Sequence, residues 1–124
     1  MVVKTNAYIV DDASKGGGLA AGASFVILGD LNADPRRGNS FKDPIRLLTS
    51  SKRINASVTP IADIDVEKLE NTDTAMFALR VDYVLPSSDI EIARAGIWRT
   101  LPASAGKFPS DHFPVWVEVT VPAP

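Results

Sequence analysis

The chain has no cysteine, which excludes disulfides and thiolate metal sites and says nothing of the compartment. No apolar run approaches the length needed to span a membrane. The N-terminus carries one lysine and no long apolar stretch, so it does not read as a signal peptide, and localisation stays open. An excess of charge of one sign is also missing. The formal charge is −2 and the pI about 5.3. High-affinity nonspecific DNA binders usually show a basic stripe, and none is present here. Arg36-Arg37 and Lys52-Arg53 are small local pairs. They read as solvated loop charges, with a phosphate contact as the alternative. Repeats, low-complexity tracts and internal linkers are absent too. The 124 residues suit one domain, and an apolar share of 45% is enough for a core of its own.

Histidine is almost absent, and the one that occurs is informative. His112 stands in Ser110-Asp111-His112. Two further acidic motifs precede it. Gly29-Asp30-Leu31-Asn32-Ala33-Asp34-Pro35 follows the apolar run Phe25–Leu28, and Arg80-Val81-Asp82-Tyr83-Val84-Leu85 encloses a carboxylate among apolar neighbours. A proton donor, several carboxylates and an amide make a kit suited to metal-assisted phosphoryl chemistry. Asp30 and Asn32 are two apart, so in an extended segment they point the same way and can face one phosphate. The alternative is an Asx turn closing a strand. Asp82 inside an apolar strand needs a partner, because a lone buried carboxylate is costly. A salt bridge to Arg80 is the alternative to a functional partner. Asp111 beside His112 favours the charged imidazole; the competing explanation is a helix cap with an incidental surface histidine. Asp34 reads as a turn or helix cap. Tyr83, Trp98 and Trp116 read as core or sheet-packing residues, and Lys107-Phe108 as plain loop with a substrate contact as the alternative.

The elements that carry these motifs are partly legible. Ala7–Val10 suggests a short strand, and 11–22 is rich in Asp, Ser and Gly and reads as a loop. Phe25–Leu28 reads as a strand buried on both faces, stopped by Gly29. Asp43-Pro44 starts a short helix ending near Ser51, with Asp43 as N-cap and Pro44 in the first helical position. Residues 54–62 include a short extended piece limited by Pro60, and Asp63–Glu70 suggests a helical turn or two. Val81–Leu85 and Ile90–Trp98 read as strands joined closely enough to form a hairpin, with Gly96 marking a bulge or a close backbone approach. Val115, Val117, Val119 and Val121 alternate with polar or aromatic residues, the clearest period of two in the chain.

Taken in order, GDLNADP, RVDYVLPS and SDH resemble the C-terminal part of the endonuclease/exonuclease/phosphatase superfamily, in its bacterial members. The likeness runs from Ala7 to Val121 and extends to Tyr8-Ile9-Val10-Asp11-Asp12, Gly17-Gly18-Leu19 and Gly22. It implies an α/β fold that is half of a four-layer α/β/β/α sandwich, mostly antiparallel sheet with short helices on one side. The activity implied is divalent-metal-dependent hydrolysis of a phosphoester, nuclease-like, on nucleic acid or a small phosphodiester; a signalling-lipid phosphatase is a weaker alternative. Asp30 would orient or deprotonate the attacking water and Asn32 hold a non-bridging oxygen. Asp82 would orient His112, His112 would face the phosphoryl group, and Asp111 would help bind Mg2+ (or Mn2+ or Ca2+).

Family members are longer, and their N-terminal half carries an asparagine and a metal-binding glutamate that nothing before Asp30 matches. Residues 1–124 therefore read as a C-terminal half. Its expected partner is the missing N-terminal half or a second copy in a homodimer. The alternative function is a catalytically inert fragment or interaction module. Secretion is common in the family, and any export signal would lie upstream of this stretch.

Overall fold

A computed structural model of the chain describes Leu19 and residues 22–121 apart from Pro102. The expected strand at Ala7–Val10 and most of the loop that follows lie outside the described residues. Among the described residues there are four strands and one helix: β1 Val26–Asp30, α1 Asp43–Thr49, β2 Asp82–Pro86, β3 Glu91–Ile97 and β4 Val115–Thr120. The architecture is α/β, with the strands in two small antiparallel sheets, β1–β2 and β3–β4. The sheets adjoin where β2 approaches β4. No helix among the described residues is long and apolar enough to cross a membrane.

β1 and β2 pair in the register Val26↔Pro86, Ile27↔Leu85, Leu28↔Val84, Gly29↔Tyr83 and Asp30↔Asp82. Directly opposed residues share a face, and successive residues alternate between faces. Ile27, Leu85 and Tyr83 therefore face α1, where they join Ala33, Ile45, Leu48 and Ile54 in the core, with Phe25 and Leu31 packed against it. Ile45 and Leu48 supply the helix side of this contact. Val26, Leu28, Val84, Asp30 and Asp82 lie on the opposite face. Leu28 is 69% exposed there and Val26 40%. The expectation that this strand is buried on both faces is thus corrected: among the described residues, only one face is covered.

The helix begins as its Asp-Pro start predicts, but the boundary residue is Lys42. Lys42 is already in helical conformation and makes no side-chain cap, while Asp43 lies in the first turn. An acidic group there still favours the positive end of the helix dipole. Asp63–Glu70 is not helical. Its carboxylate at Asp63 accepts the backbone N–H groups of Arg99 and Thr100, at 2.7 and 3.2 Å. Ala62 bridges Ile97. These long-range bonds draw the segment towards β3 instead.

The close link between β2 and β3 does not make a hairpin. Each strand takes a partner distant in sequence, because residues 53–55 occupy the corner. Asn55 donates its backbone N–H to the Pro86 carbonyl at 2.8 Å and its side-chain amide to the Ile90 carbonyl at 2.7 Å, and Ser88 donates to the Arg53 carbonyl at 2.9 Å.

β4 keeps its period of two, with half-buried valines alternating with exposed Trp116, Glu118 and Thr120. The irregularity in the β3–β4 ladder falls between Ile92 and Arg94 rather than at Gly96. Gly96 marks the close approach: a Cβ there would lie 2.8 Å from the Trp116 ring. Trp98 and Trp116 are sheet-surface residues, 45% and 43% exposed, and not core.

Candidate active site

Asp30 and Asp82 end the uncovered face of the β1–β2 sheet, opposite one another across the ladder. Like charges so placed repel. A cationic group beside them relieves this, and His112 is there. Its Nδ1 lies 2.9 Å from Oδ2 of Asp82. An ionised carboxylate only accepts, so Nδ1–H is the donor. One ligand atom from each of Asp30, Asp82 and His112 can be chosen so that all lie within 4.8 Å of one another. The contact to Asp82 holds the imidazole above its ordinary pKa; partial burial opposes it, and the charges of Asp82, Asp30 and Asp111 add to it. The Phe77 ring, its centroid 5.4 Å from that of the imidazole and its plane at 73° to it, limits the ring's freedom on another side.

Backbone conformation delivers Asp30 to this position. Gly29 has φ +141, a region that residues with a Cβ rarely enter. Just beyond the strand, Asn32 donates its N–H to Oδ1 of Asp30 at 2.8 Å and takes φ +50. The Asx turn is therefore real, and it orients the Asp30 carboxylate. Asn32 is not extended, so the two-residue spacing does not by itself place its amide beside Asp30. The amide is exposed at the mouth of the same turn.

Asp82 pairs with His112, while the Arg80 guanidinium stacks over Tyr83 at 4.8 Å. Burial pushes the Tyr83 hydroxyl up to about 12, and it donates to the carbonyls of Ala33 and Arg80. Asp111 is exposed and stands outside the Asp30–Asp82–His112 group. Its carbonyl accepts the N–H of Met76 at 2.8 Å, and the N–H of His112 donates to Ser110 Oγ at 3.0 Å.

Asp34 acts as the turn cap expected, and more. Burial alone would raise its pKa, but N–H donors from Arg80, Arg37 and Arg36 outweigh that and hold it at about 2. It thereby ties the turn after β1 to the approach to β2, with Arg80 N–H at 2.8 Å. Asp73 and Thr74 lie in Asn71–Thr74, a polar stretch whose composition reads as loop. Both are buried, at 0% and 1% exposure. The only signal was their nearness to RVDYVL.

The sequence profile of the Endonuclease/Exonuclease/phosphatase family matches residues 1–112. The chain belongs to that family. No curated protein and no solved structure matches it. Family membership carries a hydrolase character directed at phosphoesters, generally dependent on a divalent metal.

The donors here suit such an ion in part. Two facing carboxylates offer the hard oxygens that Mg2+ prefers, alongside retained waters and substrate oxygens. The imidazole Nδ1 and Asp82 Oδ2 already engage each other, which leaves Asp30 as the carboxylate of the group without a histidine bond.

Proposed function

We propose that the protein is a divalent-metal-dependent phosphodiester hydrolase of nuclease-like type, represented here by its C-terminal half, residues 1–124. The observation that carries this reading is the His112–Asp82 hydrogen bond beside Asp30, at the end of one sheet face. In-line attack by water needs a base on one side of the phosphorus and charge stabilisation around it. Asp30 takes the first role: its carboxylate, held by the Asn32 N–H, orients and deprotonates the water. His112, whose charged form the Asp82 contact favours, would donate to a phosphoryl oxygen as negative charge grows. Asp82 fixes the donor nitrogen and the ring plane, the service a carboxylate gives a histidine in other dyads. The Asn32 amide holds a non-bridging oxygen. Mg2+, or Mn2+ or Ca2+, would be held by Asp111 together with the Asp30 side of the group, and supplies neutralisation of phosphate charge when bound.

The uncovered face bearing Leu28 and Val26 supports the second element of the proposal. In a four-layer sandwich this face packs against a sheet from an N-terminal half, or against a second copy of the chain. The same exposure favours one competing reading, a catalytically inert interaction module, since an incomplete site with an open face binds before it turns over.

Activity decides between the two. The chain and a version extended by an upstream half would be assayed with Mg2+ on a phosphodiester panel of nucleic acids, small diesters and phosphoinositides. Hydrolysis by the extended protein, with little by the shorter one, is expected. No hydrolysis by either, with any of the three metals, would sink the enzyme reading.

A further inference from the structure

We propose that Thr74 is the positioning residue of the Asp82–His112 dyad, its hydroxyl fixing the start of β2 while its main chain fixes the histidine loop. Three consecutive N–H groups lead into β2, and none of the three is bonded to a neighbouring strand. Arg80 donates to Asp34 Oδ2, whereas Val81 and Asp82 both donate to Thr74 Oγ1, each at 3.0 Å. A hydroxyl oxygen has two lone pairs, so one side chain can satisfy both. The same residue reaches the other half of the dyad through its backbone. Its carbonyl accepts the Phe113 N–H at 2.8 Å, Ala75 bridges His112, and Met76 donates to the Asp111 carbonyl at 2.8 Å. Residues 74–76 thus run beside 111–113 while the Thr74 side chain holds 81–82. Both members of the dyad are referred to one buried point.

That point is itself anchored. The buried Asp73 carboxylate accepts from the Arg37 guanidinium and, at 2.8 Å, from the Glu70 N–H. Arg99, also buried, donates to the carbonyls of Glu70 and Asp73 at 2.7 and 2.6 Å and lies over the Phe113 ring at 5.3 Å. The Asp73 and Arg99 side chains therefore brace the main chain just ahead of Thr74. The phosphoester chemistry touches none of them, so their place in the fold is explained by what they hold still. The catalytic meaning of this inference rests on the proposed function, whereas its geometry does not.

The test exploits the single histidine, whose ring nitrogens give one unambiguous set of NMR signals. Neutral His112 in the wild-type chain is expected as the Nδ1–H tautomer, because Asp82 takes that proton. Thr74→Val keeps the shape and removes the acceptor, and should shift the ring towards the Nε2–H form that a free histidine side chain prefers. Thr74→Ser keeps the oxygen and should retain the wild-type tautomer. In an active, extended protein, Thr74→Val should lower kcat by about tenfold or more with KM little changed, the scale of losing a group that orients a functional histidine or ligand.

An unchanged tautomer in folded Thr74→Val overturns the proposal, as does Nε2–H in the wild type. If the valine variant does not fold, hydrogen exchange in the wild type and Thr74→Ser decides. Protected Val81 and Asp82 amides support it, and freely exchanging ones overturn it. A tautomer shift in a protein that hydrolyses nothing would leave the positioning role standing and remove only the enzymatic reading.

Discussion

His112 draws its role from its neighbours, and its titration reports them. Its folded pKa lies above the ordinary imidazole value, chiefly through the Asp82 hydrogen bond. The bond therefore contributes stability that is fully present below the unfolded pKa, about 6.5, and that is lost as pH rises through the folded value. Thermal melts taken across this range should show a decline on the alkaline side that His112→Ala lacks; parallel curves for the two proteins would refute the coupling. In an active, extended protein, His112→Ala and Asp30→Asn should each lower kcat by at least about 10²-fold, the size of a lost general base or charge-stabilising contact. Substrate binding should change less, and near wild-type turnover in either variant would remove that residue from the mechanism. The gathering of Asp30, Asp82 and His112 was legible through the resemblance of three motifs taken in order, since each residue alone has a structural alternative. The Asx turn at Asn32 was legible only as a competitor to the site. The structure makes it part of the same arrangement, since the bond that closes the turn also aims Asp30. Thr74 left no mark because a buried hydroxyl in a polar stretch looks like any loop threonine.

Strands and helix were read best where the signal was periodic. β4 came from alternating valines, and α1 from an Asp-Pro start followed by Ile45 and Leu48. Pairing was not legible. Proximity in sequence argues for a β2–β3 hairpin, but backbone groups at the corner are taken by residues 53–55, which a local pattern cannot reveal. Asp63–Glu70 failed for a similar reason: its apolar spacing suits a helical turn, yet bonds from Arg99 and Thr100 tie its first residue, Asp63, to the chain just after β3. Gly96 was half legible, its need for a small residue being right and its association with a bulge wrong. The Trp116 ring rests on it so closely that Gly96→Ala must displace either the ring or β3. Overpacking of this kind costs about 1–3 kcal/mol, so the variant should melt several degrees lower. An unchanged melting temperature would mean that Trp116 moves aside freely, as its 43% exposure permits only in part.

At the scale of the molecule, among the described residues α1 covers one side of the sheet formed by β1 and β2. Leu28 and Val26 remain open on the other, and Phe41 and Leu47 add exposed apolar surface near the helix. Monomers seldom tolerate contiguous apolar patches beyond a few hundred Å². The described chain is therefore expected to self-associate, face to face or by strand exchange, unless an N-terminal half supplies the cover. Light scattering over a dilution series checks this: a monomer at high concentration that binds no hydrophobic dye would argue against an open sheet face. The distant pairing of β1 has a kinetic side as well. Val26–Asp30 emerges before β2 but waits for it, with the helix and the whole of residues 50–81 in between, and the histidine arrives later still. Closing such a loop carries its entropy cost before any ladder bond rewards it, which makes non-local strand pairing slow. Recovery from denaturant should thus show α1 forming well ahead of the dyad, and ligand binding at the site would lag every spectroscopic measure of helix.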